Sequence, residues 1–188
     1  MKRLIATRLL ETPIAWDDPD VMRVFVCGSA SPLGVSDRAQ SCIVVAGGST
    51  FFIVDTGAGS TRNLLRAQVP MQSLTGVLFT HFHSDHISAL GDTNLASWVA
   101  GRTTPLNVYG PRGVVRVVDG FNEAYALDRT YRTMHHGSEL LPPEIGAMQP
   151  QLIVSGKVVE VGEFKITPFS VDHGPVEPAV GYRFDYRG

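Results

Sequence analysis

The run Thr80-His81-Phe82-His83-Ser84-Asp85-His86 gathers three of the chain's six histidines and one carboxylate into a single short stretch. It follows directly on Gly76-Val77-Leu78-Phe79, an apolar run that reads as a buried strand. Side chains alternate along extended backbone, so His81 and His83 point the same way and can grip one cation. A helix opening at Asp85-His86-Ile87 swings the next two donors toward a second position beside the first. Imidazole nitrogens with a carboxylate suit zinc and, less exclusively, manganese or iron. A single histidine at a strand end is an ordinary polar terminus. The H-x-H-x-D-H spacing of four ligand-type side chains is a far more specific pattern.

The elements that carry this motif are legible around it. Strands are expected over 22–27, 42–46 and 51–55, rich in Val, Ile and Phe, with Gly47-Gly48 as a hairpin turn. A helix opens at Ser60 with a capping-type side chain. The strand over 76–80 delivers the motif, and 85–100 reads as one helix with Ile87, Leu90, Leu95, Trp98 and Val99 facing inward. A strand over 106–109 leads through Gly110-Pro111 into a helix over 112–127. Residues 129–150 read as the least regular part, with His135-His136-Gly137 and several prolines. Alternation returns over 151–171 as antiparallel strands, and Tyr182-Arg183-Phe184-Asp185-Tyr186 is a final strand. The class is therefore α/β, in layers.

These segments together resemble the metallo-β-lactamase superfamily, and within it the ribonuclease Z and arylsulfatase-like branch. The resemblance runs from Met22 to the end of the chain. It rests on Val24-Phe25-Val26-Cys27-Gly28-Ser29-Ala30-Ser31-Pro32, Phe52-Ile53-Val54-Asp55-Thr56-Gly57-Ala58-Gly59, the histidine motif, Val108-Tyr109-Gly110-Pro111, and Asp172-His173-Gly174 followed by Gly181-Tyr182-Arg183. It implies an αββα sandwich with metals at one sheet edge, of which this chain supplies the first half and the start of the second. Residues 1–21 are then an N-terminal extension and 22–188 the metallo-β-lactamase-like domain, incomplete at its C-terminus.

The resemblance also implies roles. His81, His83 and His173 hold a first metal, and Asp85 and His86 reach a second, with Asp85 counted as catalytic. Asp55 orients a ligand or the motif loop, and His135 and His136 are candidates for substrate contact. Asp172 points away from the metal of His173, because adjacent strand residues face opposite ways. One or two zinc ions, with manganese or iron as alternatives, would activate water against a phosphodiester or sulfate ester. The substrate is a small-molecule phosphate or sulfate ester or an RNA 3′ end, and a homodimer is compatible with it. The second metal position has two donors only, and relatives continue into further ligands, so the chain is expected to be a truncated form. Two other readings stand beside this one: a catalytically incomplete metal-binding fragment, and a di-iron redox protein. His83, where di-iron sites usually carry Glu, favours zinc over the latter.

Composition adds limits. With 16 Lys and Arg against 18 Asp and Glu, a net charge of −2 and a pI near 6.3, no basic bias favours nucleic acid. Cys27 and Cys42 are too few for a disulfide framework and are expected as free thiols. Met1–Leu10 begins like a signal peptide, but Arg8 interrupts its apolar stretch. A cytoplasmic protein without stable membrane insertion is the expectation, with membrane anchoring or a periplasmic location as the alternative if the true start lies upstream.

Overall fold

Near-continuous apolar runs in the central strands give the main sheet two faces to bury. A computed structural model describes residues 15–33 and 37–188 of the chain. Six strands lie in the order β1 (Arg23–Gly28), β2 (Cys42–Gly47), β3 (Thr50–Val54), β4 (Leu74–Leu78), β5 (Leu106–Gly110) and β6 (Met148–Leu152). The first three are antiparallel neighbours, and β3 to β6 run parallel. Val44, Ala46, Phe51, Ile53, Val77 and Val108 point to one face and meet the helices. Those helices are α1 (Ser60–Arg66), α2 (Ser84–Ile87), α3 (Leu90–Val99), α4 (Val114–Ala124) and α5 (Ala126–His136). Val45, Phe52, Val54 and Leu78 point to the other face.

A second, antiparallel sheet covers that other face: β7 (Val159–Val161), β8 (Phe164–Ser170) and β9 (Val180–Tyr186). Phe164 and Ile166 fill the gap between the sheets, and Phe52 meets Phe164 edge-on at 5.6 Å. The described layers are thus helix, sheet, sheet. Because β3, β4 and β5 are parallel, their carboxyl ends open on one edge, where ligands bind in such sheets. No helix among the described residues is long and apolar enough to cross a membrane.

Several expectations change. Cys27 and Cys42 are joined in a disulfide rather than free. An irregularity between Val26 and Gly28 places Gly28 opposite Cys42. Cys27 thereby lies diagonally across, its Cα 5.0 Å from that of Cys42, within disulfide reach. A one-residue bulge of this kind leaves no mark in the spacing. The helix expected over 85–100 is broken in two. Thr56 N–H donates to the His86 carbonyl (2.6 Å) and the Thr56 carbonyl accepts from Ala89 N–H (2.8 Å). Both groups would otherwise continue the helical ladder. Ser60 is no cap: Gly59 holds that position in a left-handed conformation, φ 81°.

The irregular segment expected over 129–150 is largely α5, and β6 pairs parallel rather than antiparallel. Pro150 is tolerated because β6 is the edge of its sheet. The helix expected over 112–127 is two helices meeting at Tyr125. Trp16, in the segment read as an extension, is buried against Phe25 and donates its indole N–H to Ala67 C=O (3.3 Å). The arm over Met1–Leu10 lies outside the described residues.

Candidate metal centre

β3 ends at Val54, and the next residue, Asp55, is almost fully buried with φ 59°. A left-handed conformation is uncommon outside glycine, though aspartate tolerates it better than most. It turns the Asp55 carboxylate along the sheet edge toward the end of β4. Thr80 N–H donates to Asp55 Oδ1 (2.9 Å), and Thr80 Oγ1 lies 3.0 Å from Oδ2. His86 Nδ1 lies 2.7 Å from Oδ2, and Ser41 Oγ donates to the same oxygen at 3.4 Å. Gly57, two residues on, packs so closely that a Cβ there would lie 2.1 Å from the Asp85 carbonyl. The two loops touch backbone to backbone.

Proton accounting then fixes two tautomers. An ionised carboxylate only accepts, so the Thr80 hydroxyl gives its proton to Asp55. Thr80 Oγ1 must therefore accept from His81 Nδ1, 3.0 Å away. That leaves His81 Nε2 as a bare lone pair. In its neutral form His86 likewise spends the Nδ1 proton on Asp55, leaving Nε2 bare and 3.6 Å from Asp85 Oδ2. A partner that sets which imidazole nitrogen is free is the usual support of a metal ligand.

His81 Nε2 sits 3.0 Å from His83 Nδ1. Two nitrogens on one tetrahedral zinc, each at ~2.0–2.1 Å, would lie about 3.3 Å apart. His173 joins them from the loop between β8 and β9, its ring 4.5 Å from His81 and 5.5 Å from His83. One nitrogen from each of His81, His83 and His173 lies within 4.8 Å of the others. The donor set fits a cation that prefers nitrogen ligands. Burial, then the charges of His86 and His173, pushes the His81 pKa down to about 4, so this imidazole is neutral across the neutral range. For His86, burial lowers the pKa, but the hydrogen bond and charge of Asp55, with Asp85, outweigh it and raise it.

Asp85 is buried beside His86 at the start of α2. His135 and His136 end α5, exposed, with their ring contact to one another. The structure does not bring them into the cluster. Asp172 is exposed and accepts from Gly174 N–H (3.0 Å). Sequence reading passed over the hydroxyl of Thr80, although its place between a buried strand and the first histidine was a signal.

Residues 35–176 match the metallo-beta-lactamase superfamily. The chain belongs to that superfamily. The chain is 34% identical over 171 residues to ribonuclease Z of Mycobacterium marinum, an alignment covering 89% of this chain and 60% of the relative. It thus spans about three fifths of the length of the curated relatives it matches. Among solved structures, human tRNase Z, short form (ELAC1), superposes with a TM-score of 0.64 at 19% identity, over 88% of this chain and 65% of that one. A diphosphatase from the PhnP family gives 0.63 at 20% identity, over 86% and 61%. At those identities the likeness is one of fold, and the fold is that of the superfamily.

Proposed function

We propose that this chain carries the metal centre of a metal-dependent phosphodiesterase of the ribonuclease Z kind, with zinc as its ion. The observation that carries the reading is the convergence of His81, His83 and His173 within 4.8 Å, with the His81 lone pair directed by Thr80 and Asp55. In this reading these three residues hold the first ion. Asp85 and His86 present Oδ2 and Nε2 toward a second position. A bound divalent ion would supply acidified water and a Lewis acid for a phosphoryl oxygen.

The chain's own residues do the rest. Asp55 holds His86 and, through Thr80, His81 in the tautomers that leave Nε2 free. Asp85, counted as catalytic, contributes through Oδ2 at the second position, 3.6 Å from His86 Nε2. The name ribonuclease Z carried by the relatives supports RNA as substrate, and an RNA 3′ end is the first choice in this reading. The net charge of −2 gives that substrate no global attraction, so a small phosphate or sulfate ester is the second choice. His135 and His136 would serve only as surface contacts for an extended substrate. A cytoplasmic location accompanies the ribonuclease reading, while the Cys27–Cys42 bridge favours an oxidising compartment and so the periplasmic alternative. Sedimentation reads whether the chain is a homodimer.

The test is zinc titration calorimetry together with turnover of bis-p-nitrophenyl phosphate, p-nitrophenyl sulfate and a transfer-RNA precursor bearing a 3′ trailer. Zinc binding near one equivalent or above is expected, with phosphodiester cleavage lost on chelation and in His81→Ala and regained with zinc. Zinc uptake without turnover would leave a metal-binding fragment, and an iron absorption band would instead indicate the di-iron alternative. Absence of any metal uptake would sink the proposal.

A further inference from the structure

The second sheet reaches the histidine loop through β9. Val180 N–H donates to the Thr80 carbonyl (2.9 Å), and the Tyr182 hydroxyl donates to the Phe79 carbonyl (2.6 Å). Phe79 and Thr80 are the two residues immediately before His81. Phe79 N–H is already committed to the Tyr109 carbonyl (2.8 Å), so one residue ties β4 to β5 and, through Tyr182, to the other sheet.

His173 needs such a tie. His81 is buried and hydrogen-bonded to Thr80, and His86 is clasped by Asp55. His173 is exposed, and among the described residues its ring makes no hydrogen bond, only ring contacts with His81 and His83. Its loop is closed at the base, where Val171 N–H donates to the Ala179 carbonyl (3.1 Å). The loop therefore travels with β8 and β9. The far end of β9 is held elsewhere, by Tyr186 to Pro19 and Arg187 to Asp20. Apolar packing between sheets fixes their spacing but is tolerant of small slides, because it is not directional. A short hydrogen bond is directional.

Resting on the metal centre proposed above, we propose that Tyr182 is a positioning residue for it. Its hydroxyl, by holding the Phe79 carbonyl, sets the loop bearing His173 at the separation from His81 and His83 that a shared ion requires. Tyr182 touches no donor atom of the cluster and acts only through the placement of His173. Burial, then the nearby charge of Asp55, raises its pKa, so it remains a donor throughout the neutral range.

The experiment compares wild type, Tyr182→Phe, His173→Ala and the double variant by zinc competition against a chromophoric chelator, alongside the Tm of each metal-free protein. Tyr182→Phe should weaken zinc binding by about 10–100-fold, as loss of an outer support does. Its metal-free Tm should fall only modestly, since the ring is kept and the loss is that of one partner for the Phe79 carbonyl. The double variant should bind zinc no more weakly than His173→Ala alone, because a residue acting through His173 has nothing left to position. Should Tyr182→Phe be less stable, the zinc-induced rise in Tm, taken relative to its own metal-free form, reads affinity apart from folding. Unchanged zinc affinity in Tyr182→Phe, or losses that simply add in the double variant, would overturn the inference while leaving the metal centre intact. Failure of wild type to bind zinc overturns the metal-centre reading itself, and the inference with it.

Discussion

His81 and His173 offer nitrogen to the same point from opposite surroundings. His81 is 3% exposed, hydrogen-bonded to Thr80, and belongs to a loop locked to the Asp55 turn. His173 is exposed and stands on a loop of the other sheet, its ring without a hydrogen bond among the described residues. One arm of the cluster is organised before any ion arrives, within the first sheet alone. The other is only as accurate as the docking of two sheets. The contrast separates two requirements for a metal site, correct lone pairs and correct separation, and assigns them to different parts of the chain.

The comparison can be broken most severely between the sheets. Phe52 is fully buried and meets both Phe164 and Phe184. Phe52→Ala should cost about 3–5 kcal/mol in chemical denaturation, and zinc affinity should fall with it because His173 loses its platform. Next in size is a pH effect on the metal-free protein. The folded pKa of His81 lies below its ordinary value, so the unfolded chain takes up that proton first and stability falls as pH falls. Between about pH 6.5 and 4 the loss should be about 1–3 kcal/mol, solvent screening setting the lower end, read from denaturant midpoints and absent in His81→Gln. His86 has the opposite sign, its contribution present at low pH and lost as pH rises through its raised pKa.

Asp55→Asn sharpens the first arm. An amide can donate as well as accept, so the tautomers of both imidazoles lose their director, and a buried group goes badly paired. Stability should drop by about 1–3 kcal/mol and zinc affinity by about 10–100-fold, with nitrogen NMR of the imidazoles reporting the tautomers. The smallest effect belongs to the second arm. His173→Ala should change metal-free stability by less than about 0.5 kcal/mol, although zinc titration should show the tight site gone. A large loss of stability there would mean that His173 is not the loosely held arm described here.

Much of this was readable from the residues. Five of the first sheet's six strands, the place of the histidine run at a strand end and the likeness to the superfamily all follow from short-range patterns. The unbroken apolar run Phe51–Val54 and the packed donors after Phe79 needed no third dimension. What escaped depends on contacts between distant segments. The break in the helix after His86 comes from Thr56, thirty residues earlier in the chain. The Cys27–Cys42 bridge depends on a bulge. α5 was hidden because Leu127, Tyr131 and Met134, spaced as a helix would have them, face outward and flank prolines and histidines that suggest a loop. The director role of Thr80 came from counting protons, which requires knowing who its neighbours are.

Gly57 carries a last consequence. With a hypothetical Cβ only 2.1 Å from the Asp85 carbonyl and 2.5 Å from Gln40 Cβ, the position admits hydrogen and nothing larger. A single methyl would act as a wedge, prising the carboxylate-bearing bend off the short helix and blunting, in one stroke, the aim of every nitrogen that bend controls.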